Sequence, residues 1–199
     1  MHEIVPGIYV WHWFAAHFGY DFNGHLAGDV CIDPVDMPDA ILDDIVARGV
    51  ARIVLTNRNH FRAAEKVRAR TRATVAIHPA DAAFVRDRGV AVGAELRAGE
   101  RVGPFVVVAA PGKSPGEVAL HWPERRLLVV GDACVGAPPG KLRLLPAKVI
   151  DDAAELRRSL AKLAELDVDT LLVGDGASIL TGAQAALRDL VSGLDPLPA

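Results

Sequence analysis

The sequence is poor in cysteine, in aromatic residues and in any excess of positive charge. Two cysteines among 199 residues, Cys31 and Cys134, cannot build a disulfide framework. Each sits beside an apolar run, the setting of a buried reduced thiol. Lys and Arg number 22 against 25 Asp and Glu, a formal net charge of −3. That balance leaves no electrostatic footprint for nucleic acid. No apolar run reaches the roughly 18–20 residues of a membrane span, so no membrane partner is expected. Met1 to Gly7 lack both a basic and a long apolar segment. No signal peptide is expected, and the cytoplasm is the expected location. Repeats, low-complexity tracts and linkers are also missing, which points to one domain over residues 1–199.

The chain is nevertheless 51% hydrophobic, enough to bury a sizeable core. Its apolar residues alternate between two periods. Ile4 to Val10, His25 to Asp33, Arg52 to Leu55, Thr74 to Ile77, Val106 to Val108 and Leu171 to Val173 read as strands. Met37 to Arg48, Phe61 to Arg72, a short segment from His78, Asp151 to Leu166 and Thr181 to Val191 read as helices. Pro38 fits a helix start and Gly49 a helix end. Asn23-Gly24 is a turn signal, and Glu117 to Trp122 with Arg126 to Val130 reads as a hairpin around Pro123-Glu124. A Pro-rich tail ends the chain. Interleaved strands and helices with hairpins in both halves predict an α/β fold with mixed sheets.

Seven of the aromatic residues crowd into Tyr9 to Phe22. The alternation Tyr9, Trp11, Trp13 puts them on one strand face. That stretch is either core, a surface for homo-oligomers, or the wall of a pocket for a small-molecule ligand. The basic residues of Phe61 to Arg72 read as a solvated helix face.

Four polar clusters follow apolar runs, where loops on a rigid sheet place functional groups. They are Thr56 to Arg62, Gly112 to Gly116, Gly131 to Ala133 and Gly174 to Gly176. Gly112-Lys113-Ser114 is not a phosphate loop, because Val107 stands where the first glycine is needed. Within these clusters Asp132, Lys113 and His60 are the candidate catalytic groups. His60 is either a general base or a residue that starts a helix. Lys113 is a base or nucleophile only if desolvation lowers its pKa. Cys134 is either a nucleophile or a small buried hydrophobe. His12, His17 and His25 flank the aromatic stretch without metal-ligand spacing.

Taken in order, the four clusters resemble the metallo-β-lactamase-fold hydrolases, the superfamily that includes glyoxalase II-type thioesterases. Asn23 to Pro34 matches an early strand ending in Asp. Thr56 to Arg62 falls at Thr-His-x-His-x-Asp-His, and Pro111 to Gly116 at Pro-Gly-His-[Thr/Ser]-Pro-Gly. Gly131-Asp132 matches Gly-Asp, and Gly174 to Gly176 falls at Gly-His-Gly. The resemblance implies an αβ/βα four-layer sandwich of two mixed sheets with helices outside. It also implies that His and Asp residues of these loops bind one or two metals, commonly zinc.

This sequence departs from that pattern at most ligand positions. Asn57 and Asn59 replace the first two His, Phe61 the Asp, Arg62 the last His of that loop, Lys113 the next His and Asp175 the final one. Asp132 alone is retained. Zinc needs imidazole, thiolate or carboxylate donors, and guanidinium and ammonium groups have no lone pair to offer. The expectation is therefore a site without zinc or other metal, with an altered metal at Asp132 and Asp175 as the alternative. Arg62 and Lys113 are expected to pair with Asp132 and Asp175, with Asn57 and Asn59 hydrogen-bonding around them. The function this implies is a catalytically degenerate member with a binding or regulatory role. The alternative is a divergent hydrolase of an ester, thioester or lactone with an altered or single-metal site.

Overall fold

The computed structural model describes residues 1–194, so the Pro-rich tail expected at the C-terminus lies outside the described residues. The strands are β1 (His2–Val5), β2 (Ile8–Ala15), β3 (Tyr20–Ala27), β4 (Val30–Ile32), β5 (Arg52–Leu55), β6 (Thr74–Ile77), β7 (Val92–Glu95), β8 (Arg101–Val102), β9 (Phe105–Ala109), β10 (Val118–Trp122), β11 (Leu127–Val129) and β12 (Thr170–Leu172). The helices are α1 (Asp39–Ala47), α2 (Ala64–Thr71), α3 (Pro79–Arg86), α4 (Ala153–Leu163) and α5 (Ala183–Ser192).

Two mixed sheets result. One has seven strands in sequential order, β1 to β7, and the other five in the order β12-β11-β10-β9-β8. In the first, β1 to β4 run antiparallel and β4 to β7 parallel. In the second, only β11 and β12 are parallel. The period-2 alternation of strand side chains sorts the apolar residues into layers. Ile53 and Leu55 face outward onto α1, α2 and α3, through Ile45, Val67 and Val85. Val54, between them in sequence, points inward and packs with Phe105, Val107, Leu120 and Leu127 of the opposite sheet. Leu128 and Val130 point out of the second sheet onto Leu156, Leu160, Leu163 and Leu187 of α4 and α5. Helix, sheet, sheet, helix is the four-layer αβ/βα sandwich expected. No helix among the described residues is long and apolar enough to cross a membrane.

Four local expectations change. Asn23-Gly24 makes no turn; both lie inside β3, and the reversal falls at Ala16 to Gly19, closed by bonds from the Phe18 and Gly19 amides to Ala15 O. Gly24 pairs across the sheet with Trp11. A Cβ at position 24 would lie 2.4 Å from the indole, so this glycine makes room for a buried ring rather than bending the chain. Asn23 is a tie between the sheets, donating from Nδ2 to Val173 O and Gly176 O at 2.9 Å each. Second, the helix expected from Phe61 begins at Ala64. The Asn57 side chain accepts from Asn59 N at 2.8 Å and its carbonyl from His60 N at 3.2 Å, a turn that competes with helix. Third, β7 was not anticipated. Its Gly93 and short length hide it, and it forms by parallel pairing onto β6.

Fourth, the single strand expected from His25 to Asp33 is two: the chain reverses at Gly28-Asp29, and the end of β3 pairs antiparallel with β4, His25 opposite Ile32. The starts of α3 and α4 follow their sequence signals. His78 caps α3 by accepting from Ala80 N at 3.2 Å, and Asp152 caps α4 by accepting from Glu155 N at 2.8 Å. The basic outer face of α2 pairs with acids at the surface, Arg68 with Glu65 and Arg70 with Asp43.

His25 stands on the inward face of β3, fully buried, with neither ring nitrogen hydrogen-bonded. Burial pushes its pKa down to about 4, against a smaller upward pull from Asp33 and downward pushes from His12 and His60. Because the folded value lies below the unfolded one, stability from this group is full above pH ~6.5 and is lost as pH falls toward 4, a total of about 3 kcal/mol. In urea unfolding at pH 7.5, 5.5 and 4, His25→Leu should lose correspondingly less stability on acidification than the wild type. Parallel profiles for the two proteins would refute this account of His25.

Candidate functional site

All four polar clusters meet at one end of the sandwich, and the short β5 and β11 strands deliver two of them. Asp33, just past β4, accepts from Thr56 N at 2.8 Å and from Thr56 Oγ1 at 2.6 Å. This locks the end of β5. The Asn57 turn then swings His60 inward, where its side chain is fully buried. Its Nδ1 lies 2.9 Å from Asp33 Oδ2 and its Nε2 lies 3.0 Å from Asp132 Oδ1. Lys113 Nζ lies 2.7 Å from Asp132 Oδ2 and donates to Asn59 Oδ1 at 2.5 Å. Thr56, Asp33, His60, Asp132, Lys113 and Asn59 thus form one continuous polar chain.

The surrounding loops are held by two further acids. Asp81, buried in the first turn of α3, accepts from Ser114 Oγ at 2.5 Å, Arg58 N at 2.9 Å and Gly116 N at 3.1 Å. It fixes the loop that carries Lys113 to the loop that carries His60. Glu117, buried beneath Asp132, accepts from Asp132 N at 2.7 Å and from Asn57 Nδ2 at 3.4 Å. Gly131 permits the close approach, since a Cβ there would stand 2.4 Å from Thr56 Oγ1.

The charges are mutually dependent. Burial opposes the Asp132 carboxylate, yet His60 and Lys113 together hold it well below the usual range. Burial likewise opposes the His60 imidazolium, and Asp132 with Asp33 outweigh it, raising its pKa to about 10. Asp175 is pushed up to about 7, by burial and then by Asp132. Burial and Asp132 push Glu117 well above the carboxylate range.

The expected pairs are present with unequal quality. Lys113 and Asp132 form a close pair. Arg62 Nη2 sits 3.7 Å from Asp175 Oδ1, within ion-pair range but too far for a hydrogen bond. Both Arg62 Nη1 and Asp175 Oδ1 are buried without hydrogen-bond partners. Arg62 instead lies over the Phe22 ring, 4.1 Å from its centre. Asn57 and Asn59 join the network as expected. Phe61 does not; it packs against the core under α1 to α3. Cys134 packs among the residues beneath α4 and α5, and burial pushes its thiol up to about 12, which removes it as a nucleophile.

A cavity of about 350 Å³ opens above the network. Its floor is Asn59, Arg62, Lys113, Asp132 and Asp175. His17, Phe18 and Phe22 of the β2–β3 hairpin form one wall, and Leu145, Pro146, Lys148 and Val149 the other. The second wall is anchored by Asp151, which accepts from Arg58 Nη2 at 2.6 Å and donates its amide to Lys113 O at 3.3 Å. Of the aromatic stretch, Trp11 is core and hydrogen-bonds Val35 O at 3.2 Å, while Phe18 and Phe22 face the cavity and Phe14 is 61% exposed.

Asp33, Glu117 and Asp81 escaped notice as network members in the sequence. Asp33 ends a strand, and Glu117 breaks an apolar strand start, a polar residue where only a buried partner justifies one. Asp81 reads from sequence only as a helix first-turn acid.

With the geometry defined, its relatives can be placed. The sequence profile of the metallo-beta-lactamase superfamily matches residues 2–194, and the chain belongs to that superfamily. A hydroxyacylglutathione hydrolase of Cereibacter sphaeroides is 33% identical over 162 residues, covering 77% of this chain and 60% of the relative. A second, from Fuscovulum blasticum, is 33% identical over 152 residues, covering 69% of this chain and 54% of the relative. The chain therefore matches a little over half the length of these curated relatives. Among solved structures, the protein TTHA1623 in a di-iron-bound form superposes with TM-score 0.70 at 25% identity, covering 89% of this chain and 96% of that one. A beta-lactamase domain protein from Burkholderia ambifaria superposes with TM-score 0.74 at 18% identity, covering 96% and 75%, and shares the fold.

These findings correct the expectation of a site without metal. His60, Asp132 and Asp175 each offer a ligand atom, all within 4.8 Å of one another, and a similar protein has been solved with two irons. From sequence His60 reads as a general base or a helix start rather than a ligand; the turn at Asn57 carries it inward to Asp132. The orphaned Asp175 Oδ1 fits a cation. The donor set fits one ion: Asn57, Asn59, Arg62 and Lys113 add amides and cations where a second ion would need imidazoles or carboxylates. A single ion there requires a neutral His60, and Asp132 has a second oxygen, Oδ1, besides the one that Lys113 holds.

Lys113→Met leaves a buried carboxylate short of one partner and should destabilise the fold by about 3 kcal/mol in urea unfolding. Arg62→Met breaks a long, partly solvated pair and should cost less than about 1 kcal/mol. Equal losses would show that the Lys113–Asp132 pair is not the dominant one.

Proposed function

We propose that this chain binds a small organic molecule in the cavity beneath the β2–β3 hairpin, as a member of the superfamily that has given up two-metal hydrolysis. The observation that carries this is the ammonium of Lys113 at 2.7 Å from Asp132, the retained family ligand. A fixed cation there already holds one carboxylate oxygen that would otherwise be free for a second metal ion, and an ammonium has no lone pair to offer in exchange. The reading does not require a metal-free site. One ion at His60, Asp132 and Asp175 would be part of the pocket floor.

A second reading is favoured by a specific observation. The unpartnered Asp175 Oδ1 and the open cavity above it suit hydrolysis of an ester, thioester or lactone with one bound ion. When bound, such an ion supplies an acidified water and polarises a carbonyl. In this chain Asp132 and Asp175 would hold it, and His60, steadied by Asp33, would take or give a proton at Nε2.

Elemental analysis and hydrolysis assays separate the two. Protein is incubated with zinc, manganese and iron, desalted, and assayed on a simple thioester and a phenyl ester. The binding reading expects at most one equivalent of metal and turnover no different from Asp132→Ala. Turnover that requires one equivalent and vanishes in both Asp132→Ala and Asp175→Asn would establish the single-ion hydrolase instead. Two retained equivalents would overturn both.

A further inference from the structure

The cavity walls and the cations around them specify the ligand class more narrowly. Phe18, Phe22, Leu145, Pro146 and Val149 give the cavity an apolar body, and about 350 Å³ is at the small end for ligand sites. That suits one ring or a short branched chain, and excludes a nucleotide or a folded peptide segment. The charged groups lining it are Arg62, Lys113 and Lys148 against Asp132 and Asp175. Lys113 is matched by Asp132 at 2.7 Å, and Arg62 faces Asp175 at 3.7 Å. Lys148 forms no ion pair among the described residues and is exposed on the rim. One positive charge is left over. In addition, Arg62 lines the cavity, and its Nη2 stands 3.7 Å from Asp175 Oδ1, too far for a hydrogen bond. An unmet guanidinium donor is costly to leave, and it calls for an acceptor oxygen.

We propose that the cavity selects an apolar monoanion, a carboxylate on an aromatic or branched aliphatic body, with the body between Phe18 and Val149 and the carboxylate between Arg62 and Lys148. This rests on the reading of the cavity as a ligand site. A dianion would meet only one uncompensated charge, and an amine would meet the wrong sign. The apolar body lies over the face of the hairpin, where aromatic side chains give large contact area at low entropic cost.

The test uses three isosteric probes, 3-phenylpropanoate, 3-phenylpropanamide and 3-phenylpropylamine, titrated into the full chain by calorimetry with thermal shift as a second readout. The carboxylate should bind about tenfold more tightly than the amide, and the preference should shrink as salt rises. Lys148→Glu, at an exposed position that leaves the fold intact, should abolish the preference, while Lys148→Arg retains it. Phe18→Ser should weaken all binding. Equal affinity for carboxylate and amide, or tighter binding of the amine, overturns the monoanion class while leaving the cavity as a ligand site. A carboxylate preference untouched by Lys148→Glu places the anion elsewhere and overturns the proposal. Failure of all three probes to bind at millimolar concentration overturns both this proposal and the binding reading beneath it.

Discussion

One buried imidazole organises this molecule's functional end. His60 lies between Asp33 and Asp132, at 2.9 and 3.0 Å, with no exposed surface. An isolated charge at that depth would cost several kcal/mol, so each member of the chain Asp33, His60, Asp132, Lys113 is tolerable only because the next one is present. The same chain joins three stretches far apart in sequence: the end of β4, the loop after β5 and the loop after β11, with Lys113 adding the β9–β10 loop. Their relative placement is therefore an electrostatic requirement as much as a consequence of the sheets.

The sheets supply the rigidity against which that requirement is met. Inward and outward residues of β5 and β11 pack into separate layers, so their C-terminal ends cannot slide without turning a whole strand over. Asp81 and Glu117 then clamp the loops by accepting backbone hydrogens, Gly116 N in one case and Asp132 N in the other. The functional groups inherit their precision from these bonds. These bonds hold the altered set of side chains in one arrangement at the end of the two sheets.

What has changed within that geometry is the kind of chemistry available. Imidazoles and carboxylates gather ions. Here amides, an ammonium and a guanidinium stand at most of those positions, and the remaining donors are enough for one ion. The cavity above has kept its opening while its floor has become a set of matched charges with one rim cation to spare. Charge sign and volume are the two properties by which such a floor would discriminate between molecules entering the cavity, under either functional reading.

Much of the fold was legible in the amino-acid order. The span of β5 and β6, the caps at His78 and Asp152, and the positions of the four polar clusters follow from periodicity and turn chemistry, which are local. The substitutions at Asn57, Asn59, Arg62, Lys113 and Asp175 were equally readable, because a motif is a matter of spacing. Three things were decided only by tertiary structure. Gly24 serves a ring that comes from another strand, so its turn-like neighbour Asn23 misled. Phe61 faces the core and His60 the site, because the Asn57 turn rotates the chain before α2 begins. The metal-capable trio of His60, Asp132 and Asp175 exists only where three loops converge, at sequence separations over which no local preference acts. Local order sets which groups a strand end can offer; long-range packing and the cost of burying charge set which of them meet.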